Sequence, residues 1–90
     1  MGAVITRGVS RPTLIVYSRP QCHLCDIALA ALAALQRRIP FAVEVRNVEE
    51  RPEWESAFGE QVPVGFLGKR KVFKYRIDAA KLQRALLSGR

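Results

Sequence analysis

Apolar positions change their period several times along the chain, and each change marks an element. Thr13-Leu14-Ile15-Val16-Tyr17, running on to Ser18, is a β-branched and aromatic stretch of the kind that forms a buried strand over 13–18. Ser18-Arg19-Pro20-Gln21 breaks it with a proline-bearing turn. From Cys22 or His23 to Arg38 the period is helical. Leu24, Ile27, Ala28, Ala31, Leu32 and Leu35 supply the expected buried face, and the abundant Ala and Leu are strong helix formers. Arg37 and Arg38 suit a helix C-terminus, and Pro40 stops continuation. Phe41-Ala42-Val43-Glu44-Val45-Arg46 alternates and predicts a second strand. Pro52 opens a short helix with Trp54, Ala57 and Phe58 on one apolar face, ended by Gly59. Residues 62–67 predict a third strand, Gly68-Lys69-Arg70 a turn, and residues 71–75 a fourth strand pairing antiparallel with the third. Asp78 is a good N-cap for a last helix that buries Ala79, Leu82, Ala85 and Leu86.

The order β-α-β-α-β-β-α is an α/β arrangement. A right-handed crossover makes strands one and two parallel, and the hairpin completes a mixed four-stranded sheet with helices on both faces. Ninety residues support one modest core. We expect residues 1–12, ending in Gly8-Val9-Ser10-Arg11-Pro12, to be a flexible leader, and residues 13–90 to be the domain. Ala3-Val4-Ile5-Thr6 is a weaker candidate for an added edge strand. No apolar stretch approaches the about 18–20 residues of a membrane span, and the N-terminus lacks the pattern of a signal peptide. Met1-Gly2 with Thr6 fits a short myristoylation pattern that arises readily by chance. These features lead to the expectation of a cytoplasmic protein.

Charge adds a second layer. The net charge is +7, unevenly placed. Glu44, Glu49, Glu50, Glu53, Glu55 and Glu60 fall in the middle, whereas Lys69, Arg70, Lys71, Lys74, Arg76, Lys81, Arg84 and Arg90 crowd the final third against Asp78. A basic face attracts anions, whether acidic partner proteins, phosphates, nucleic acid or an anionic membrane, and the plainer reading, ahead of a nucleic-acid site, is a solvated, solubilising face. No helix-turn-helix, zinc-finger spacing or aromatic RNA-binding stripe accompanies it, so specific nucleic-acid binding is not expected.

The chemistry lies in Cys22-His23-Leu24-Cys25, where the first strand pattern gives way to the first helix. Two thiols at i and i+3 at the mouth of a helix, inside a β-α-β pattern, form a redox signature. A purely structural disulfide is the poor reading, because so small a loop restrains little of the unfolded chain.

Tyr17-Ser18-Arg19-Pro20-Gln21-Cys22-His23-Leu24-Cys25-Asp26, then Asn47-Val48-Glu49-Glu50 with Pro52, then Val62-Pro63 about forty residues beyond the first cysteine, carry a resemblance. Over 13–88 the chain resembles glutaredoxin-like members of the thioredoxin superfamily, above all the compact bacterial glutaredoxin-like proteins. The resemblance implies a thioredoxin-like fold and thiol–disulfide oxidoreductase activity on protein or glutathione mixed disulfides. It also implies a cis Val62-Pro63 bond facing the cysteines, with the backbone before Pro63 pairing with an extended substrate.

At a helix N-terminus, unpaired N–H groups and the helix dipole stabilise an anion, and a thiolate there has its pKa lowered from about 8.5 into the range of roughly 3.5–7.5. Cys22 is therefore the expected attacking thiolate, and Cys25, one turn inward, the resolving thiol. Arg19 adds a positive charge where glutaredoxins often carry Lys. His23 replaces the proline of the common C-P-x-C; protonated, its imidazole favours a thiolate, while the plainer reading is an exposed polar residue. One departure stands out. Glutaredoxins usually follow strand four with a Gly-Gly pair and an acidic cap that bind the γ-glutamyl end of glutathione. This chain has Lys74-Tyr75-Arg76-Ile77-Asp78, which counts against that mode, leaving Arg19, Lys71 or Arg76 to hold a carboxylate. No cofactor is expected, glutathione being at most a co-substrate, and a monomer is expected.

Three function classes remain in order. The first is the oxidoreductase, with Cys22 and Cys25 catalytic and Arg19, Val62, Pro63 and Arg76 binding substrate. The second is a metal or iron–sulfur carrier, for which two thiolates supply half of a four-ligand site. The third is a non-catalytic adaptor of thioredoxin fold that uses its basic C-terminal face.

Overall fold

The computed structural model describes residues 12–88. The expected leader and the Ala3-Val4-Ile5-Thr6 strand candidate lie outside the described residues. In chain order the elements are β1 (Thr13–Ser18), α1 (His23–Gln36), β2 (Ala42–Asn47), a 3-10 turn (Val48–Glu50), α2 (Pro52–Phe58), β3 (Val64–Leu67), β4 (Arg70–Lys74) and α3 (Ala79–Ser88). The sheet order is β2-β1-β3-β4, with β1 parallel to β2 and antiparallel to β3, and β3 antiparallel to β4.

β1 is central, and its alternating side chains feed two cores. Leu14 and Val16 point to one face, where they join Leu32 and Leu35 of α1, Phe73 of β4, and Leu82 and Leu86 of α3. Ile15 and Tyr17 point to the other, joining Val48, Val64 and Phe66, with Trp54 and Phe58 of α2. Helices thus cover both faces. The Tyr17 ring stacks on Phe58 at 4.2 Å between centroids and meets the edges of Trp54 and Phe66. Arg46 closes this second core by donating to the Tyr17 hydroxyl at 3.0 Å and lying over the Trp54 ring.

The local signals behave as their chemistry requires, with informative exceptions. Asp78 caps α3 by accepting from the Lys81 N–H at 3.1 Å. Gly68, at φ +61°, makes the two-residue β3–β4 turn. α1 is rotated from its expected face: Cys25, Ala28, Leu32 and Leu35 are buried, while Ile27 is 49% exposed and Ala31 is exposed. Ala79 is likewise exposed on α3. β3 starts at Val64 rather than Val62, because the Val62-Pro63 bond precedes the paired residues. β4 stops at Lys74 rather than Tyr75, because Tyr75 takes φ +68° and leaves the extended region.

Candidate active site

The site is built where β1 hands the chain to α1. Gln21, at φ 58°, turns the backbone sharply so that Cys22 arrives as the N-cap of α1 in extended conformation, φ −113° and ψ 108°. An N-cap normally offers a side-chain oxygen to the exposed first-turn N–H groups. Here sulfur takes that place: the Cys25 N–H donates to the Cys22 Sγ at 3.1 Å. The carbonyl of Cys22 accepts from the Asp26 N–H at 3.0 Å, so the cap is closed from both ends.

Cys22 and Cys25 are disulfide-bonded, with Cα atoms 5.2 Å apart. Their environments differ. Cys22 is partly exposed, whereas Cys25 is 2% exposed and packs on the inner face of α1. His23 and Asp26 are both exposed on the first turn.

Register brings the Val62-Pro63 segment to the same end. Tyr17 pairs with Val64, which sets Pro63 level with Ser18 at the end of the sheet from which the Cys22 turn emerges. The Val62-Pro63 peptide bond is cis, and Pro63 is buried. The carbonyl of Pro63 accepts from the Tyr75 N–H at 2.7 Å, so the segment after β4 is tied to it.

Arg19 occupies a different place from the one its sequence position suggests. Its guanidinium donates to Glu49 at 3.3 Å, to Glu55 at 2.9 Å and to the Gly59 carbonyl at 2.7 Å. The hydrogen bond to Glu55 chiefly holds its pKa above the ordinary arginine value. The charge is therefore shared with two carboxylates on the α2 side, and the contact that stands out is structural, joining the end of β1 to the 3-10 turn, the middle of α2 and its C-cap. Lys71 donates to Gln61 Oε1 at 3.0 Å. Arg76 is exposed and lines a cavity of about 180 Å³ with Leu24, Ile27, Ala31, Tyr75 and Ile77.

Two features were not visible in the sequence reading. Tyr75 takes a left-handed backbone conformation that only glycine adopts freely. Its ring turns away across the loop, with the hydroxyl donating to the Glu60 carbonyl at 3.1 Å and Lys74 Nζ 5.3 Å from the ring centre. The second feature is the clamp on Arg19. The available hint for Tyr75 was that Tyr75-Arg76 stand where glutaredoxins carry a Gly-Gly pair; nothing local announced the partners of Arg19, which come from 30 and 36 residues away.

Among the described residues, no cluster of three or more His, Cys, Asp or Glu is placed to hold a metal ion. No helix among them is long and apolar enough to cross a membrane.

Comparison with known proteins adds family information. The sequence pattern of the Glutaredoxin-like domain (DUF836) matches residues 13–87. A protein of Dictyostelium discoideum described as a glutaredoxin-like protein YDR286C homolog is 32% identical over 72 residues, covering 73% of this chain and 67% of its own length. Among solved structures, the solution NMR structure of protein Ne2328 from Nitrosomonas europaea superposes with a TM-score of 0.76 at 30% identity, covering 87% of this chain and 94% of that one. The X-ray structure of the structural-genomics target protein XcR50 from X. campestris superposes with a TM-score of 0.71 at 32% identity, covering 86% and 99%.

Proposed function

The chain belongs to the glutaredoxin-like domain family, and on that premise we propose that it is a thiol–disulfide oxidoreductase working through Cys22 and Cys25. The observation that carries the reading is the asymmetry of the bonded pair: a partly exposed sulfur at a helix N-cap and a buried one a turn inward.

In the reduced protein the Cys22 thiolate attacks one sulfur of a substrate disulfide. The substrate S–S bond breaks, a mixed disulfide forms on Cys22, and the displaced sulfur leaves as a thiolate that takes up a proton. Cys25 then loses its proton and attacks the Cys22 sulfur, releasing the second substrate thiol and closing the Cys22–Cys25 disulfide. Two electrons pass from the dithiol to the substrate. The Cys25 N–H, aimed at the Cys22 Sγ, and the dipole of α1 favour the attacking thiolate of Cys22 in the first step.

Substrates in this reading are protein or glutathione mixed disulfides, and glutathione takes part as a co-substrate, not as a resident cofactor. Val62, just ahead of the paired residues of β3, offers its backbone to an extended substrate, and Pro63 sets the floor beside it. Arg76 holds a substrate carboxylate. Arg19 acts by fixing α2 against the β1 end rather than as a free charge.

The test is a pair of cysteine variants assayed on a disulfide-linked protein and on a glutathione mixed disulfide. Cys22→Ser is expected to abolish reduction of both. Cys25→Ser is expected to retain the first attack and to accumulate a mixed disulfide on Cys22, visible as added mass that dithiothreitol removes. Full activity of Cys22→Ser would overturn the proposal.

A further inference from the structure

Beside the exposed His23 and Asp26, α1 carries one uncovered apolar stripe. Ile27, 49% exposed, and Ala31 stand one turn apart, and with Leu24 they form one wall of the cavity of about 180 Å³. Leu24 lies between Cys22 and Cys25 in the chain, so the cavity shares one lining residue with the C-x-x-C turn. Its opposite wall is Tyr75-Arg76-Ile77. That wall is braced rather than loose. The Tyr75 N–H is bound to the Pro63 carbonyl at 2.7 Å and the Arg76 N–H to the Lys74 carbonyl at 2.7 Å, while the Tyr75 hydroxyl reaches Glu60.

Tyr75 separates this cavity from a second one of about 520 Å³, lined by Glu55, Ser56, Glu60, Gln61 and Lys74. The two sides of the segment that ties Tyr75 to Pro63 thus present different chemistry. On the α1 side the lining is apolar apart from Arg76, which has no ion pair among the described residues. On the α2 side it is polar and of mixed charge.

Resting on the oxidoreductase reading, the geometry points to a side-chain subsite. The α1-side cavity takes a leucine-sized apolar side chain next to the reacting cysteine of an extended segment of a disulfide-bearing protein, and Arg76 takes an acidic side chain beside it. A cavity of this volume falls short of the roughly 300–1,000 Å³ that holds a whole small-molecule ligand. One side chain fits it, beside Leu24 of the C-x-x-C turn. Burying an apolar side chain there satisfies Leu24, Ile27 and Ala31 together, and a carboxylate completes the one charge on the rim. Glutathione carries carboxylates but no apolar side chain, so it meets only half of this subsite. The selected substrate class is therefore a protein segment with an apolar and an acidic neighbour to its cysteine.

The experiment uses the reduced full chain and peptides whose single cysteine is joined to thionitrobenzoate, so that cleavage releases a chromophore. The cysteine is flanked by Leu and Glu, by Leu and Ser, or by Gly and Ser, each pair in both orders; the thionitrobenzoate mixed disulfide of glutathione is a fourth substrate. The expected second-order rate constant for thionitrobenzoate release in a single turnover is about tenfold higher for the best Leu–Glu peptide than for the Gly–Ser peptides and for glutathione, the scale on which an apolar pocket discriminates. Ala31→Phe, which fills the cavity from an exposed helix position, is expected to bring the Leu peptides down to the Gly–Ser level. Arg76→Ala is expected to erase the difference between Leu–Glu and Leu–Ser and to leave the advantage of Leu over Gly. Equal turnover of all peptides by the wild-type chain, or a Leu preference that survives Ala31→Phe, would overturn the subsite while leaving the oxidoreductase reading in place. Failure of every substrate to react overturns both.

Discussion

Gly65 shows how little room the sheet leaves on its α1 side. It pairs with Phe73 across β3 and β4, and a β-carbon built on it would run into the Phe73 ring. The ring lies over the glycine and fills the space a side chain would take, which keeps a flat packing surface for α1 and α3. Gly65→Ala is expected to destabilise the protein by about 1–3 kcal/mol, as overpacking does in a dense core. A lower urea midpoint at unchanged slope is the readout. Combining it with Phe73→Leu is expected to recover part of the loss; an additive or worse double variant would show that the ring is not the obstacle. Tyr75 makes the opposite use of the glycine problem: it keeps a bulky side chain at φ +68°, and the bonds to Pro63 and Glu60 hold it there. Tyr75→Phe removes only the hydroxyl bond to an exposed carbonyl and is expected to lower stability by about 1 kcal/mol or less.

At the scale of elements, α2 is the piece most dependent on others. It is short and buries no residue fully, so its position rests on Trp54 and Phe58 against Tyr17 and on the Arg19 contacts to Glu55 and Gly59. Arg19→Ala is expected to lower the urea midpoint and to speed proteolysis within 48–61, with Arg19→Lys intermediate because it loses the fork. The start of α2 adds a pH dependence. The carboxyl of Glu53 is held below its usual value, first by its own backbone N–H and then by Arg51. A depressed carboxylate contributes stability above its unfolded pKa, and that contribution is lost as pH falls through the lower, folded value. Urea midpoints of the wild type and Glu53→Gln are thus expected to converge as pH drops below about 4.5 and to separate above it.

These elements also show what a sequence can disclose. β1, the C-x-x-C, the hairpin turn and the Asp78 cap are local: the residues that make them lie within a few positions of one another, and all were legible. The rotation of α1 was not. Ile27 and Ala31 satisfy helical periodicity as well as Cys25 and Leu35 do, and only the position of α3 and of the segment after β4 decides which stripe is covered. The same holds for Arg19, whose partners are fixed by how α2 docks, and for Tyr75, where a tertiary hydrogen bond overrides a backbone preference. The positions of the cysteines and Pro63 were readable; the residues that surround them are brought there by chain-distant contacts.

For the whole molecule, the sheet sorts the charge. Strand order puts β2, next to the acid-rich 48–60 stretch, toward one edge and the basic β4 at the other. The basic edge is itself divided. Arg70 pairs with Leu67, which pairs with Leu14 at the start of β1, so Arg70 lies at the end of the sheet away from Cys22; Lys81 and Arg84 share a cavity with it. Lys74 pairs with Val64 opposite Tyr17, at the cysteine end, and Arg76 follows it. Screening separates the two groups, because the Debye length is about 10 Å at 0.1 M salt and about 30 Å at 0.01 M. Charges near the thiols act on a docked substrate at either salt, whereas the distant cluster acts only through the long-range field. Reduction of an acidic disulfide-bearing protein, followed by stopped flow under second-order conditions, is expected to slow steeply from 0.01 to 0.15 M salt, and that of a basic one to change little or speed up. Reversing Lys81 and Arg84 to Glu is expected to flatten the salt dependence with little effect at 0.15 M. Reversing Lys74 alone is expected to slow the acidic substrate at both. If both sets of reversals acted alike at 0.15 M, the sheet-end division of the basic face would carry no weight in encounter, and net charge alone would describe it.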